Sequence, residues 1–373
     1  MATTPPDDKI RRILSLDGGG IYGLAEALWL KELCSICPTF LDGEDVDLFA
    51  GCSSGAINAL LLAMYEEPRE AVLKGVLESF WTDAGTFRNS DPIGSITSLF
   101  GLSPWFSEQD FLRQLERHFG STTFAQLKHN VLISAYSWTG GAVSFSSRTS
   151  EVAWPFSIFT PEVMRNGLPG GESWGPKYFQ NYRDSSCMDY RVVDVAYGAA
   201  TPPGFRKIRA GIGDGASFTA NPAVAAIADA RYLDLHEATT KERPPAPPST
   251  LPEGSLLRPN PFAGFRNLFD TSKQALDAVK DRRHVESTAV LSIGSGQYMP
   301  AYWSRDIDLG FLTFPIMPTN PAWGVWYSPV AYALDPATKG DEYVCWTLLG
   351  RRFHRLNPAV LSLPTVVAAF AAR

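Results

Sequence analysis

The sequence predicts an α/β protein in three layers, a central and mainly parallel sheet with helices on both faces. Three observations predict it. Short apolar runs alternate along the chain with longer stretches of helical periodicity, the pattern of strands joined by crossover helices. Four of the runs, 10–16, 46–50, 207–212 and 288–293, each pass directly into a glycine-rich turn. The chain of 373 residues is 45% hydrophobic and 19% charged, the balance of a globular protein with a sizeable core.

The same totals exclude some classes of function. The formal net charge is −6 and no basic block stands out, so no nucleic-acid partner is expected. The cysteine count of five is odd. Cys34 and Cys37 form a C-x-x-C, but no second pair and no histidine cluster accompanies them, so we expect core packing and reduced thiols rather than a metal or redox centre. The first twelve residues, MATTPPDDKIRR, lack the apolar stretch of a secretory signal. No apolar run is long enough to span a bilayer. A cytoplasmic protein is expected, with peripheral membrane contact as the lesser alternative. The apolar 359–372 stretch, interrupted by Pro364, reads as a docked core segment.

In chain order, 10–16 (IRRILSL) is the first expected strand and runs into Asp17, Gly18, Gly19, Gly20, Ile21, Tyr22 and Gly23. Three successive glycines allow backbone conformations closed to other residues, and their N–H groups can converge on an anion beside a helix N-terminus. The alternative is a tight turn and nothing more. Neither the Rossmann spacing nor a Walker lysine is present, so dinucleotide binding fits poorly. A helix over 24–36 follows. The 46–50 run is the second strand, and Gly51, Cys52, Ser53, Ser54 and Gly55 lead from it into a helix over 56–64. Strand, G-x-S-x-G, helix is an arrangement with a mechanism. A serine on a sharp strand-to-helix turn projects its hydroxyl clear of the sheet, and the new helix aims free N–H groups at the same point. Ser53 is therefore the candidate nucleophile; the competing reading makes Ser53 or Ser54 a helix cap.

A further helix is expected over 69–81. Residues 85–106 mix Gly, Pro and Ser with Phe87, Ile93, Leu99, Trp105 and Phe106, and read equally as an apolar flap over a pocket or as a packed loop. The 107–119 segment predicts an amphipathic helix, with Ser107 as cap and Phe111, Leu115 and Phe119 on one face. Residues 131–136 and 142–145 predict a hairpin around Gly140 and Gly141. The aromatic 150–183 stretch lines an apolar substrate site or packs on itself at the surface. A helix capped near Ser186 and Asp189 is expected to run to about 200. The next strand is expected over 207–212 and leads to Gly213, Asp214, Gly215 and Ala216. Asn221 and Pro222 open another helix. Residues 242–261 form a proline-rich excursion, 267–282 a helix, and 288–293 a strand closed by Gly294, Ser295 and Gly296.

Loops at the carboxyl ends of parallel strands build the sites of such sheets. The Asp17, Ser53 and Asp214 loops each follow an expected strand and could meet at one edge. A serine hydroxyl needs a base to take its proton. The five histidines, His118, His129, His236, His284 and His354, carry no motif, although the order Ser, Asp, His of other hydrolases remains open. Asp214 is the better candidate. An aspartate is a weak base at neutral pH, but burial raises its pKa. The competing reading gives Asp214 only an Asx-turn.

The three loops together resemble the patatin-like lipid acyl hydrolase family, whose pattern is D-G-G-G-x-[RK]-G, then G-x-S-x-G, then a later D-G-[GA]. Here these stand at 17–23, 51–55 and 214–216. The flanking ILSL at 13–16, AATP at 199–202, Asn221 with Pro222, and LSIGSG at 291–296 are also similar. The resemblance implies one catalytic domain across 1–373, with core motifs over about 10–300, lid-like excursions at 85–106 and 150–183, the proline-rich 242–261, and 300–373 as an extension packed on the core. It implies a Ser53–Asp214 dyad without histidine and an oxyanion hole from Gly18, Gly19, Gly20 and Ser54. Asp17, Gly23, Gly51, Gly55 and Gly215 support the motifs. An acyl-enzyme on Ser53 is implied, with no metal or organic cofactor. The implied partner is a lipid or ester substrate, met at a membrane or lipid-droplet surface. One departure is Tyr22, where the family usually has Arg or Lys; the related triacylglycerol lipases also lack that cation, which makes neutral lipids or simple esters more credible substrates. Acyl transfer to another acceptor, and a binding or storage protein that has lost activity, are the alternatives.

Overall fold

The computed structural model describes residues 10–42, 45–83, 107–137, 175–182, 187–202, 205–230, 233, 287–295, 297–298, 328–357 and 359–360. Its centre is a mixed sheet of mostly parallel strands flanked by helices. In chain order the elements are β1 (Arg11–Leu16), α1 (Gly23–Ile36), β2 (Leu48–Cys52), α2 (Ser54–Met64), α3 (Pro68–Leu73), α4 (Val76–Thr82), α5 (Glu108–Phe119), β3 (Val131–Ser137), β4 (Gly175–Gln180), α6 (Val192–Ala199), β5 (Ile212–Asp214), α7 (Ala223–Asp229), β6 (Thr288–Ile293), β7 (Gln297–Tyr298), α8 (Ser328–Leu349), β8 (Phe353–Leu356) and β9 (Ala359–Val360). The main sheet has the order β4-β3-β2-β1-β6-β8, with β5 added on β3. Strands β3, β2, β1, β6 and β8 run parallel, while β4 and β5 run antiparallel to β3.

Alternation along the strands sorts side chains into the two outer layers. Leu14, Leu16, Phe49, Ile133 and Ala135 face one cluster, built with α1, α2, α5 and α6. Their neighbours Ile13, Leu48, Ala50, Leu132 and Val290 face the other, where Ala223 and Ala226 of α7 and Cys345 and Leu349 of α8 cover them. Helix α2 reads SGAINALLLAM, is apolar on every side, and is buried from Ser54 to Ala63. A helix of that composition belongs inside a fold, and it packs directly behind β2. Helix α5 is the opposite type. Phe111, Leu115 and Phe119 are buried, its other face is charged, and Ser107 caps it by accepting from the Asp110 N–H at 3.2 Å.

Several boundaries differ from the expectation. The helix expected over 69–81 is two, α3 and α4, because Gly75 takes a left-handed conformation (φ 75°) between them. The strand expected from Lys207 starts only at Ile212, after a tight turn in which Ala210 and Gly211 both have positive φ and the Ile212 N–H bonds the Arg209 carbonyl. Strand β4 lies in a stretch read as irregular. Its Gly175, Pro176 and Lys177 hide the pattern, and proline is tolerated there because β4 is an edge strand. The hairpin partner expected at 142–145, the helix at 267–282, the Ser186 cap, the 85–106 stretch, the proline-rich 242–261 and most of 150–183 lie outside the described residues. Among the described residues no helix is long and apolar enough to cross a membrane.

Candidate active site

Strand β3 acts as a ruler that brings Ser53 and Asp214 together. Its edge is shared by two strands in succession. Strand β2 pairs along the first half, ending with Cys52 beside Ser134. There the chain turns away into α2, and β5 takes over the same strand from the opposite direction, with Asp214 beside Ala135. Ser134 and Ala135 are adjacent, so the residue after Cys52 and the last residue of β5 are set side by side. Ser53 Oγ donates to Asp214 Oδ2 at 2.6 Å, and both residues are buried.

The turn at Ser53 is strained. Its φ of 51° and ψ of −118° lie where a side chain is rarely found. Holding such a residue costs about 1–3 kcal/mol, and the surroundings must over-determine it. They do so by close approach of backbone to backbone. A Cβ on Gly55 would lie 2.2 Å from the Leu16 carbonyl oxygen, and the Gly55 N–H instead bonds the Asp17 carbonyl at 3.0 Å. Gly51 is hemmed in the same way by the Gly55 carbonyl. The serine hydroxyl makes no helix cap. That competing reading fails, and the hydroxyl goes to Asp214.

Asp214 makes two contacts at once. Oδ1 accepts from the Ala216 N–H at 2.8 Å, which is the turn contact, and Oδ2 takes the Ser53 hydroxyl. Burial pushes the Asp214 carboxyl up to about 6, against the Ser53 hydroxyl, the Ala216 N–H and the charge of Arg206. A carboxylate raised toward neutrality while still holding a serine hydroxyl is suited to accept its proton. Gly215 lets this turn lie against the Ser134 carbonyl. Cys52, next to Ser53, donates to the Thr219 carbonyl at 3.1 Å, and burial keeps its thiol well above the usual range.

The Asp17 loop closes the site from the other side. Gly18 lies against Ser53, where an added Cβ would be 3.1 Å from the serine Cβ. Its four expected anion donors divide into two pairs. The Gly18 N–H bonds the Ala220 carbonyl at 2.8 Å and the Gly19 N–H bonds Ser54 Oγ at 2.9 Å. The N–H groups of Gly20 and Ser54 have no acceptor among the described residues. Gly20 has φ +60° at the exposed crest of the loop, and Ser54 opens α2, whose positive dipole end faces the turn. Gly23 fits beneath Trp81 and Ser54, where no side chain would. Tyr22 is buried and serves the core.

Two buried arginines lie in the site's surroundings with no sequence signal to announce them. Arg206 stacks on the Phe111 ring at 3.9 Å and its charge acts on Asp214. Arg355 of β8 pairs with Asp17 at 2.5 Å. The described histidines keep other company. His118 packs edge-on against Phe80, His129 Nε2 meets the Tyr65 carbonyl at 3.0 Å, and His354 is exposed. His236 and His284 lie outside the described residues. Among the described residues no group of three or more His, Cys, Asp or Glu side chains could hold a metal ion.

Comparison with known proteins comes to the same stretch of chain. A family model described as patatin-like phospholipase matches residues 14–227, which contain all three loops. Protein teg of Priestia megaterium is 24% identical over 385 residues, covering 96% of this chain and 92% of its own length.

Proposed function

This chain belongs to the patatin-like phospholipase family, and from that premise we propose that it cleaves carboxylic esters of phospholipids or glycerolipids with Ser53 as nucleophile and Asp214 as base. Lipid acyl hydrolysis is the chemistry the family supports; the dyad is the finer reading. The single observation that carries it is the buried 2.6 Å hydrogen bond from Ser53 Oγ to a carboxylate whose pKa burial has raised to about 6.

In the proposed reaction Ser53 Oγ attacks the ester carbonyl as its proton passes to Asp214 Oδ2. The developing oxyanion is held by the N–H groups of Gly20 and Ser54, the two left without an acceptor, with the N-terminal end of α2 adding its field. Asp214 returns the proton to the departing alcohol and an acyl-enzyme remains on Ser53. Asp214 then takes a proton from water as the water oxygen attacks the acyl carbon, and returns it to Ser53 Oγ as the bond to serine breaks and the acid leaves. The strained Ser53 turn fixes the hydroxyl in advance of the reaction, so little reorganisation is needed at the barrier. Tyr22 favours neutral glycerolipids or simple esters within this class, since its buried ring brings no cation to the loop where a phosphate would meet one.

The test is labelling with a fluorophosphonate probe and hydrolysis of a short p-nitrophenyl ester. Ser53→Ala is expected to abolish both, and Asp214→Asn to slow both by about 10²–10⁴-fold, the usual contribution of a general base. Labelling that persists in Ser53→Ala, or an Asp214→Asn variant fully active on esters, overturns the dyad. Products analysed with added glycerol or other alcohol acceptors separate hydrolysis from acyl transfer.

A further inference from the structure

The matched family region ends at residue 227, yet two of the site's loops are held by side chains more than a hundred residues later. Arg355 of β8 is one. Its guanidinium reaches back under the sheet edge, with Nη2 2.5 Å from Asp17 Oδ2 and Nη1 2.7 Å from Ser292 Oγ, while Nε lies 3.8 Å from Glu342 of α8. Both partners of the Asp17–Arg355 pair are almost wholly buried, with side-chain exposures of 4% and 6%. Ser292 in turn accepts from the Asn221 side-chain amide, whose Oδ1 accepts from the Ser15 hydroxyl of β1. The guanidinium thus ties the base of the glycine loop to β6 and to the Asn221 turn in one polar chain.

Asp341 of α8 is the other. Its carboxylate accepts a short hydrogen bond from Thr219. Thr219 is a junction: its N–H bonds the Gly215 carbonyl, its carbonyl accepts from Cys52, and the neighbouring Ala220 carbonyl accepts the Gly18 N–H. One contact from α8 therefore bears on the residue after Asp214, the residue before Ser53 and the first glycine of the Asp17 loop. The supports are packed into the fold. Strand β8 is paired with β6, and α8 is anchored through Cys345 and Leu349 to α7 and Phe353.

We infer that Arg355 and Asp341 are positioning residues of the ester-cleaving centre: the α8–β8 unit sets the Asp17 loop and the Thr219 turn against Ser53. A buried arginine is the residue type for this duty, because its planar fork fixes direction as well as charge and presents separate nitrogens to Asp17 and Ser292. Lysine keeps a cation beside Asp17 but replaces the two separately placed nitrogens that hold Asp17 and Ser292 with a single one on a flexible stem.

The inference rests on Ser53 and Asp214 carrying the reaction, so the experiment includes Ser53→Ala. The kcat and KM of the full chain on a short p-nitrophenyl ester are measured for the parent, Ser53→Ala, Arg355→Lys and Asp341→Asn, with thermal unfolding followed for each. Loosened positioning acts on the transition state more than on substrate binding, so Arg355→Lys is expected to lower kcat about tenfold and Asp341→Asn roughly threefold or more, with KM within about twofold. A change confined to stability, with kcat within about twofold of the parent in both variants, overturns the inference; so does a change carried by KM alone. Should Arg355→Lys fail to fold, the half-buried Asp341 decides the matter through the same readout. Activity persisting in Ser53→Ala strikes the dyad itself, whereas an inactive Ser53→Ala beside parent-like Arg355→Lys and Asp341→Asn removes only the tether.

Discussion

Two loops at the carboxyl edge of the sheet each hold a buried aspartate, and burial pushes both carboxyls up to about 6. The Asp17 loop and the Asp214 turn nevertheless differ in what the carboxylate faces. Asp17 gives Oδ2 to the Arg355 guanidinium, and its backbone carbonyl to Gly55. Asp214 gives Oδ2 to a hydroxyl, and a backbone N–H takes Oδ1. Burial alone does not assign a role. A carboxylate held by a guanidinium is an anchor, with its basicity directed at a cation that cannot release a proton. The same carboxylate held by a serine keeps a lone pair trained on the hydroxyl proton that the proposed reaction moves. Beneath Asp17, Glu26 completes the contrast. Its fully buried carboxyl is raised well above the usual range by burial and by the charge of Asp17, and its Oε2 accepts from Asn58.

The sharpest way to break this comparison is to neutralise each aspartate in turn. Asp214→Asn is expected to lose about 10²–10⁴-fold in turnover, yet to make the protein more stable at pH 8. The folded chain holds the Asp214 proton more tightly than the unfolded chain, so stability falls as pH rises from about 4 through about 6. Above that window the buried charge costs on the order of 3 kcal/mol, at about 1.4 kcal/mol per pKa unit. An asparagine avoids the cost while keeping the turn contact through Oδ1. Asp17→Asn draws on two opposed effects. Its carboxyl is raised to about 6 as well, so neutralising it brings a gain of the same order. It also strips the buried Arg355 charge of its closest partner, a loss of roughly 3–5 kcal/mol, and its gain is expected to be smaller or absent. Urea unfolding at pH 8 and at pH 4.5 checks both, and the gain from Asp214→Asn is expected to shrink at the lower pH. A gain from Asp17→Asn as large as that from Asp214→Asn would mean that the two carboxylates play the same part.

Much of the Asp214 side of this contrast was legible from the chain and much of the Asp17 side was not. Gly51, Ser53 and Gly55 announce a strained turn because only glycine tolerates the backbone contacts at 51 and 55. The strand runs before each loop follow from local apolar pattern, and alternation alone predicts the two outer layers. What brings Ser53 to Asp214 is register on β3, and register between distant segments leaves no local trace. The antiparallel direction of β5 was invisible for the same reason, and its bounds were misplaced because three residues carry no period. Arg355 lies 338 residues from Asp17 in a stretch without glycine turn or motif. The division of the glycine-loop donors depends on where the Ala220 carbonyl lands, which composition cannot reveal.

A pH profile sharpens the comparison next. Asp214 accepts a proton only when ionised, so kcat/KM is expected to rise with pH through about 6 and to level above it, falling about tenfold per unit on the acid side. Asp17 titrates in the same range, but its effect passes through structure rather than through proton transfer. The two are separable with the Asp17→Asn variant, which is expected to keep the acid limb at about the parent pKa while lowering the plateau. An acid limb that vanishes in Asp17→Asn would transfer the titration to the wrong aspartate and undo the assignment.

The smallest expected effect concerns the histidines, and it tests what takes the serine proton. An imidazole base would have to stand within hydrogen-bond reach of Ser53 Oγ, where Asp214 Oδ2 already lies at 2.6 Å. His118, His129 and His354 are engaged with Phe80 and Tyr65 or exposed at β8. His118 is half-buried against Phe80, so its loss reaches stability before it reaches chemistry. Replacing each of the five histidines singly by glutamine, His236 and His284 included, is therefore expected to leave kcat within about twofold, against the 10² or more that removal of a true base costs. Glutamine retains hydrogen bonding without a group that titrates near neutrality, so a large fall in any one variant points to proton transfer rather than to packing. Such a fall would move the base from the carboxylate to that imidazole and recast Asp214 as the group that orients it.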